Sequence, residues 1–201
     1  MFKQQDSPIS ADIYFNIYDG CNQGCDFCKF NSNISLPILN KFDPENFKNK
    51  VVLVSYSTEP LPFDDNTNTA FCIDELHKNN ATILFLSRRP KKVMEILSHF
   101  NENDLIGISI SESKNIKFND LVAIQNLANQ CRENNLKMWI SLEPVLSKEF
   151  TNSIISTFKN EVDYIRVGKL DTPQVDNQKE WGEIKEYISA RHNQESVILK
   201  K

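Results

Sequence analysis

The stretch Thr82–Ile110, TILFLSRRPKKVMEILSHFNENDLIGISI, decides the fold. It opens on one apolar run, Thr82–Leu86, and closes on another, Ile106–Ile110. Both are short and rich in Ile, Leu and Phe, as strands buried in a parallel sheet are. Between them Val93, Ile96, Leu97 and Phe100 follow the i, i+3, i+4, i+7 spacing of a helix with one apolar face. Pro90 suits the first turn of that helix, where its missing N–H costs nothing. Strand, helix, strand in this order is a βαβ unit, and its strands run parallel.

The same rhythm extends in both directions. Further strand-like runs are Ile13–Ile17, Val51–Tyr56, Met138–Leu142 and Tyr164–Val167. Helical stripes fall at Thr69, Cys72, Ile73 and Leu76, and at Ile124, Leu127, Ala128 and Cys131. Sparser ones fall at Phe150, Ile154 and Phe158, and at Trp181, Ile184 and Ile188. Pro44–Lys48 reads as a short helical turn. Strands alternating with helices predict an α/β fold with a parallel sheet. Right-handed crossovers leave two arrangements, an open doubly wound sheet or a curved partial barrel. Either puts the chemistry at the C-terminal ends of the strands. Those ends read Asp19-Gly20-Cys21, Ser57-Thr58-Glu59-Pro60, Ser87-Arg88-Arg89, Ser111-Glu112, Glu143-Pro144 and Gly168-Lys169.

Composition sets the frame. With 201 residues, 40% hydrophobic and 25% charged, the chain suits one globular domain. A net charge of −4 leaves no electrostatic footprint for nucleic acid, so intact DNA is not favoured as a substrate. No apolar run approaches the ~18 residues of a membrane span. MFKQQDSPIS lacks the apolar core of a secretory signal, so a cytoplasmic protein is expected, with no membrane partner. Of the 5 Cys, Cys21, Cys25 and Cys28 cluster. In a reducing compartment such a cluster reads as metal or redox chemistry.

A closed zinc site wants four ligands. His77, His99 and His192 are far away in sequence, and Cys72 and Cys131 lie on apolar helix stripes, where packing explains them. Three thiolates with an open fourth corner suit a [4Fe–4S] cluster whose unique iron binds something else. A zinc-bearing α/β module is the alternative.

The segment CNQGCDFC resembles the cluster motif of the radical S-adenosylmethionine (SAM) superfamily: C-x3-C-x2-C, with an aromatic residue, here Phe27, before the last Cys. Its place after the first strand matches as well. The resemblance implies a (βα)6 partial TIM-like barrel of parallel strands, with residues 1–201 as one radical SAM core domain. Strand one is expected near 11–20, the cluster loop at 21–28, strand six near 164–168 and a C-terminal helix near 178–191. Cys21, Cys25 and Cys28 would hold the cluster. Where the family has Gly-Gly-Glu-Pro after strand two, this chain has Ser57-Thr58-Glu59-Pro60, nearest to spore photoproduct lyase and the DNA-repair-photolyase-like branch. Glu59 would then hold the SAM ammonium through a charge-assisted hydrogen bond.

By the same resemblance Ser109, Ser111 and Glu112 stand where the ribose is bound, and Glu143 where further SAM contacts lie. The backbone of strand six would meet the adenine. Arg88 is expected to hold an anion, the SAM carboxylate or a substrate phosphate, with Arg166 and Lys169 as rivals. The implied reaction is reductive cleavage of SAM to methionine and a 5′-deoxyadenosyl radical, which takes hydrogen from an unidentified substrate, a macromolecule or peptide among the classes open. The electron would come from a flavodoxin- or ferredoxin-type donor. Two alternatives remain: an activase for a glycyl-radical enzyme, and a non-catalytic metal-binding module.

Overall fold

The computed structural model describes residues 10–21, 23–24, 42–55, 57–111, 118–145, 147–168, 178–191 and 196–199. Seven strands form one sheet: β1 (Ile13–Phe15), β2 (Val51–Val54), β3 (Thr82–Ser87), β4 (Leu105–Ile110), β5 (Lys137–Leu142), β6 (Tyr164–Val167) and β7 (Val197–Leu199). Five α-helices accompany them: α1 (Thr67–Lys78), α2 (Pro90–Glu95), α3 (Phe118–Glu133), α4 (Lys148–Phe158) and α5 (Gln178–Arg191). The strands lie in sequential order, β1 to β7, and every neighbouring pair is parallel.

That order decides between the two arrangements left open above. A doubly wound sheet reverses its strand order once, which sends helices to both faces. Here no reversal occurs, so crossovers of one hand put every helix on one face. The core agrees. Strand residues Val52, Val54, Ile83, Phe85, Ile106, Ile108, Ile140 and Val167 pack with Ile73, Leu76, Val93, Leu127, Ile155, Phe158 and Trp181 of the helices in one cluster. The opposite face carries a separate small cluster of Leu53, Leu84, Leu105 and Trp139. One face is covered by helices and the other turns inward, as in a partial barrel.

The N-terminal edge of the sheet is closed by carboxylates. Asp12, Asp104 and Asp163 each directly precede a strand, β1, β4 and β6. Each accepts the N–H of a residue in the neighbouring strand: Val51 at 2.9 Å, Ile83 at 2.8 Å and Met138 at 2.8 Å. Asp104 also accepts from the Asn101 N–H and lies 2.8 Å from His77 Nε2. Turns into β2, β3 and β5 use Asn49, Asn80 and Asn135 at φ 56°, 53° and 57°. Asn tolerates the left-handed region better than other residues with a Cβ, which fits a chain with only 5 Gly.

Three features differ from the sequence expectation. β7 adds a strand to the six expected; three residues are too few to carry a periodic signal. β1 covers only Ile13–Phe15 of the segment 11–20, and β2 stops at Val54 because Ser55 turns to φ 64°. The stripe Val93–Phe100 is not one helix. It breaks at Ile96, with φ −116° and ψ 13°, into α2 and a 3-10 turn, Leu97–His99. Val93, Ile96, Leu97 and Phe100 still all face the core, so the apolar spacing marked burial correctly while the backbone changed pitch. Among the described residues, no helix is long and apolar enough to cross a membrane.

Candidate functional site

The C-terminal mouth of the barrel gathers most of the described candidates. After β1, Gly20 and Gly24 adopt φ 81° and 64°, a conformation open to residues without a Cβ. Between them Cys21 is a free, buried thiol. Cys25, Phe27 and Cys28 lie outside the described residues, as does Glu112. Cys72 and Cys131 are of another kind. Both are buried on the helix side of the sheet, and burial, aided by Glu75 and Asp163 respectively, pushes each thiol up to about 12. Thiols so far from ionising are packing groups.

The β2–β3 side of the mouth is tied together by Glu59. Its Oε1 accepts from the Leu61 N–H at 3.2 Å and the Ser87 hydroxyl at 2.6 Å, and its Oε2 accepts from the Arg88 N–H at 2.9 Å. The residue is 4% exposed, and burial raises its pKa; the Ser87, Arg88 and Leu61 hydrogen bonds and Arg89 work against that rise. Arg88 then crosses to β4, donating from Nη2 to Ser111 Oγ at 2.7 Å. Arg89 turns the other way, donating from Nη1 to the Leu61 carbonyl at 2.7 Å. Ser57 is joined to the end of β1 through its N–H, which donates to Asn16 Oδ1 at 3.2 Å. Thus Glu59, Arg88 and Ser111 belong to one network spanning the ends of β2 to β4, and Ser57 ties the same loop to the end of β1. Thr58 shares the loop, and its buried hydroxyl has no partner among the described residues; nor has that of Ser55 just before it.

Ser109 stands apart from this network, while Glu143, just beyond β5, has a partner of its own. Ser109 lies two residues inside the mouth on β4, on the inward face. In register with it across the sheet are Ser141 on β5 and Arg166 on β6. Alternation fixes their direction: Ile140, Ile165 and Val167 join the helix-side core, while Trp139 and Tyr164 pack on the inward side. Below this row, Trp139 lies across Gly107. A Cβ there would meet the indole at 2.4 Å and the Phe85 carbonyl at 2.5 Å. The floor of the barrel is apolar here, with Trp139 packed among Leu53, Leu84 and Leu105. A surface groove of about 330 Å³ lined by Cys131, Arg132, Lys137 and Asp163 sits at the opposite end, away from all these residues.

Sequence reasoning passed over Ser141, Ser55 and the Trp139–Gly107 stack. Ser141 was legible in principle, since period two from Trp139 puts it on the inward face. Its partnership with Ser109 and Arg166 was not, because register is set by pairing between strands.

No family model matches the chain, and no curated protein matches it. Among solved structures the fold is similar to that of Streptococcus suis SuiB bound to S-adenosylmethionine, with TM-score 0.67 and 15% identity over 94% of this chain and 50% of that one. It is likewise similar to SuiB bound to the precursor peptide SuiA, with TM-score 0.66 and 16% identity over 94% of this chain and 48% of that one. A further SuiB structure gives TM-score 0.67 at 15% identity, over 94% and 49%. The chain spans about half the length of these structures. At such identity the shared property is the fold, a parallel α/β partial barrel.

Proposed function

We propose that the chain is a radical SAM enzyme. The observation that carries this reading is the position of the C-x3-C-x2-C segment: its first thiol, Cys21, ends the β1 turn at the C-terminal mouth of a sequentially ordered parallel barrel. A neighbour in fold was solved with S-adenosylmethionine bound. The donor set fits the group: three thiolates are the ligands of a cluster with one open iron, and two buried hydroxyls without partners, Ser55 and Thr58, stand on the neighbouring strand end. When bound, the cluster would supply the electron that cleaves SAM to methionine and a 5′-deoxyadenosyl radical.

The chain's own residues have definite parts in this reading. Cys21, Cys25 and Cys28 hold the cluster, with Phe27 beside it. Glu59 uses three of its roughly four acceptor positions on the protein, leaving one for the SAM ammonium. Arg88, fixed between Glu59 and Ser111, holds negative charge at the mouth, and Ser57, Thr58, Ser111, Glu112 and Glu143 line the way to the ribose and adenine. The apolar cluster around Trp139 forms the floor of the site. The peptide-bound neighbour supports a peptide as the substrate, and a flavodoxin- or ferredoxin-type protein as electron donor fits the chemistry. The Ser57-Thr58-Glu59-Pro60 segment supports kinship with the photolyase-like branch.

Anaerobic reconstitution tests this directly. About four irons and four sulfides per chain are expected, and loss of both in Cys21→Ala but not in Cys72→Ala. With dithionite the loaded protein should convert SAM slowly to methionine and 5′-deoxyadenosine. Stoichiometric zinc without iron uptake would favour the metal-binding module, and S-adenosylhomocysteine as the product would refute the assigned reaction. A loaded cluster that cleaves nothing without a partner enzyme would favour the activase.

A further inference from the structure

The row Ser109–Ser141–Arg166 sets an inward-facing cation beside two inward-facing hydroxyls. None of its three side chains has a hydrogen bond or ion pair among the described residues, and Ser141 is 4% exposed. Arg166 is half-buried on the inward face, and its guanidinium offers only donors. The indole N–H of Trp139, one row below, is also a donor without an acceptor among the described residues. A cation drawn into a barrel without an anion is costly. The other inward arginine, Arg88, is already bonded to Ser111. Glu143, two residues farther along β5, has a partner of its own.

We infer that Arg166, with the hydroxyls of Ser141 and Ser109, is the seat of a carboxylate of the substrate. One positive charge balances one negative charge, which suits a carboxylate rather than a phosphate dianion, and a guanidinium fork matches two coplanar oxygens. Two strand steps separate Ser109 from Arg166, about 10 Å, a span that a carboxylate and its stem can fill. The inference rests on the reading of the mouth as a SAM site, and it places the substrate on the β4–β6 half. The cluster loop follows β1, three strand steps from β4, so along the sheet the row begins about 14 Å from the strand that bears it. A SAM carboxylate kept at the cluster is thus held by the other half of the mouth, and the row is left for the molecule that reacts.

The test is an acetate titration of the full-length, 15N-arginine-labelled protein, following the Nε–H resonances, with Arg166→Lys used for assignment. A saturable shift confined to Arg166 is expected, with Arg89, held on the Leu61 carbonyl, and the exposed Arg132 unmoved and the affinity at least tenfold lower in Ser141→Ala. No shift, or equal shifts at all arginines, overturns the inference. Tighter binding of inorganic phosphate than of acetate overturns the carboxylate assignment. SAM affinity is then measured on the reconstituted protein: Arg166→Gln should leave it within twofold of wild type. A tenfold loss would hand the row to SAM's own carboxylate and overturn the assignment to substrate. The acetate titration needs neither cluster nor SAM, so its failure is separate from failure of the radical SAM reading.

Discussion

The two ends of the barrel treat their polar groups in opposite ways. At the N-terminal end, Asp12, Asp104 and Asp163 receive strand N–H groups, and Asp104 serves three donors while fully buried. Each of these three acids completes the backbone of a neighbouring strand. At the C-terminal end the β2–β3 side follows the same rule through Glu59, but the inward row on β4–β6 does not. Ser109, Ser141 and Arg166 offer donors that no described residue accepts. A parallel sheet loses stability wherever a buried group is left unpaired. Groups that complete the fold and groups that await a ligand can therefore be told apart by what removing them costs.

Stability measurements on single variants sharpen this contrast. The largest effect belongs to Asp104→Ala, which leaves the Ile83 and Asn101 N–H groups and His77 without their shared acceptor. Chemical denaturation should show a loss of about 3–5 kcal/mol, the range for breaking a buried polar cluster by removing one member. A loss below that of Glu59→Gln would dissolve the distinction between the two ends.

Glu59→Gln comes next, at about 1–3 kcal/mol, since one amide oxygen cannot serve the donors that two carboxylate oxygens serve. Its pH dependence has a definite sign. Burial raises the folded-state pKa above the ordinary 4.5, so the folded chain holds this proton more tightly than the unfolded one. The contribution is full below 4.5 and is lost as pH rises through the raised value. Relative to Glu59→Gln, the wild type should therefore gain stability as pH falls from neutral toward 4.5. A difference that is flat with pH, or of opposite slope, would count against a carboxyl whose pKa burial has raised.

Trp139→Phe should cost less than about 1.5 kcal/mol, because the indole N–H it deletes has no acceptor among the described residues to lose and the ring volume is largely kept. A larger loss would reveal a partner for that N–H. The smallest effect is expected for Ser141→Ala, within about 0.5 kcal/mol of wild type in urea unfolding. Should Ser141→Ala destabilise as much as Glu59→Gln, the row would belong to the fold and not to a ligand.

Much of this was legible in the chain itself. The runs 82–86 and 106–110 and the stripe between them determined a βαβ unit, because burial on both faces and helical period are local properties of neighbouring residues. The spacing of Cys21, Cys25 and Cys28 is the ground on which a metal chemistry is proposed, and Glu59-Pro60 marked the second strand end. The choice between doubly wound sheet and partial barrel was not local. It depends on which strand sits beside which, and only the pairing order β1 to β7 settled it. The break at Ile96 and the strand at Val197–Leu199 escaped the pattern because a buried stripe does not report helical pitch and three residues carry no period. Ser109, Ser141 and Arg166 became neighbours by register. Residues separated by a helix and two turns come side by side through hydrogen bonds between strands, and no spacing along the chain encodes that distance.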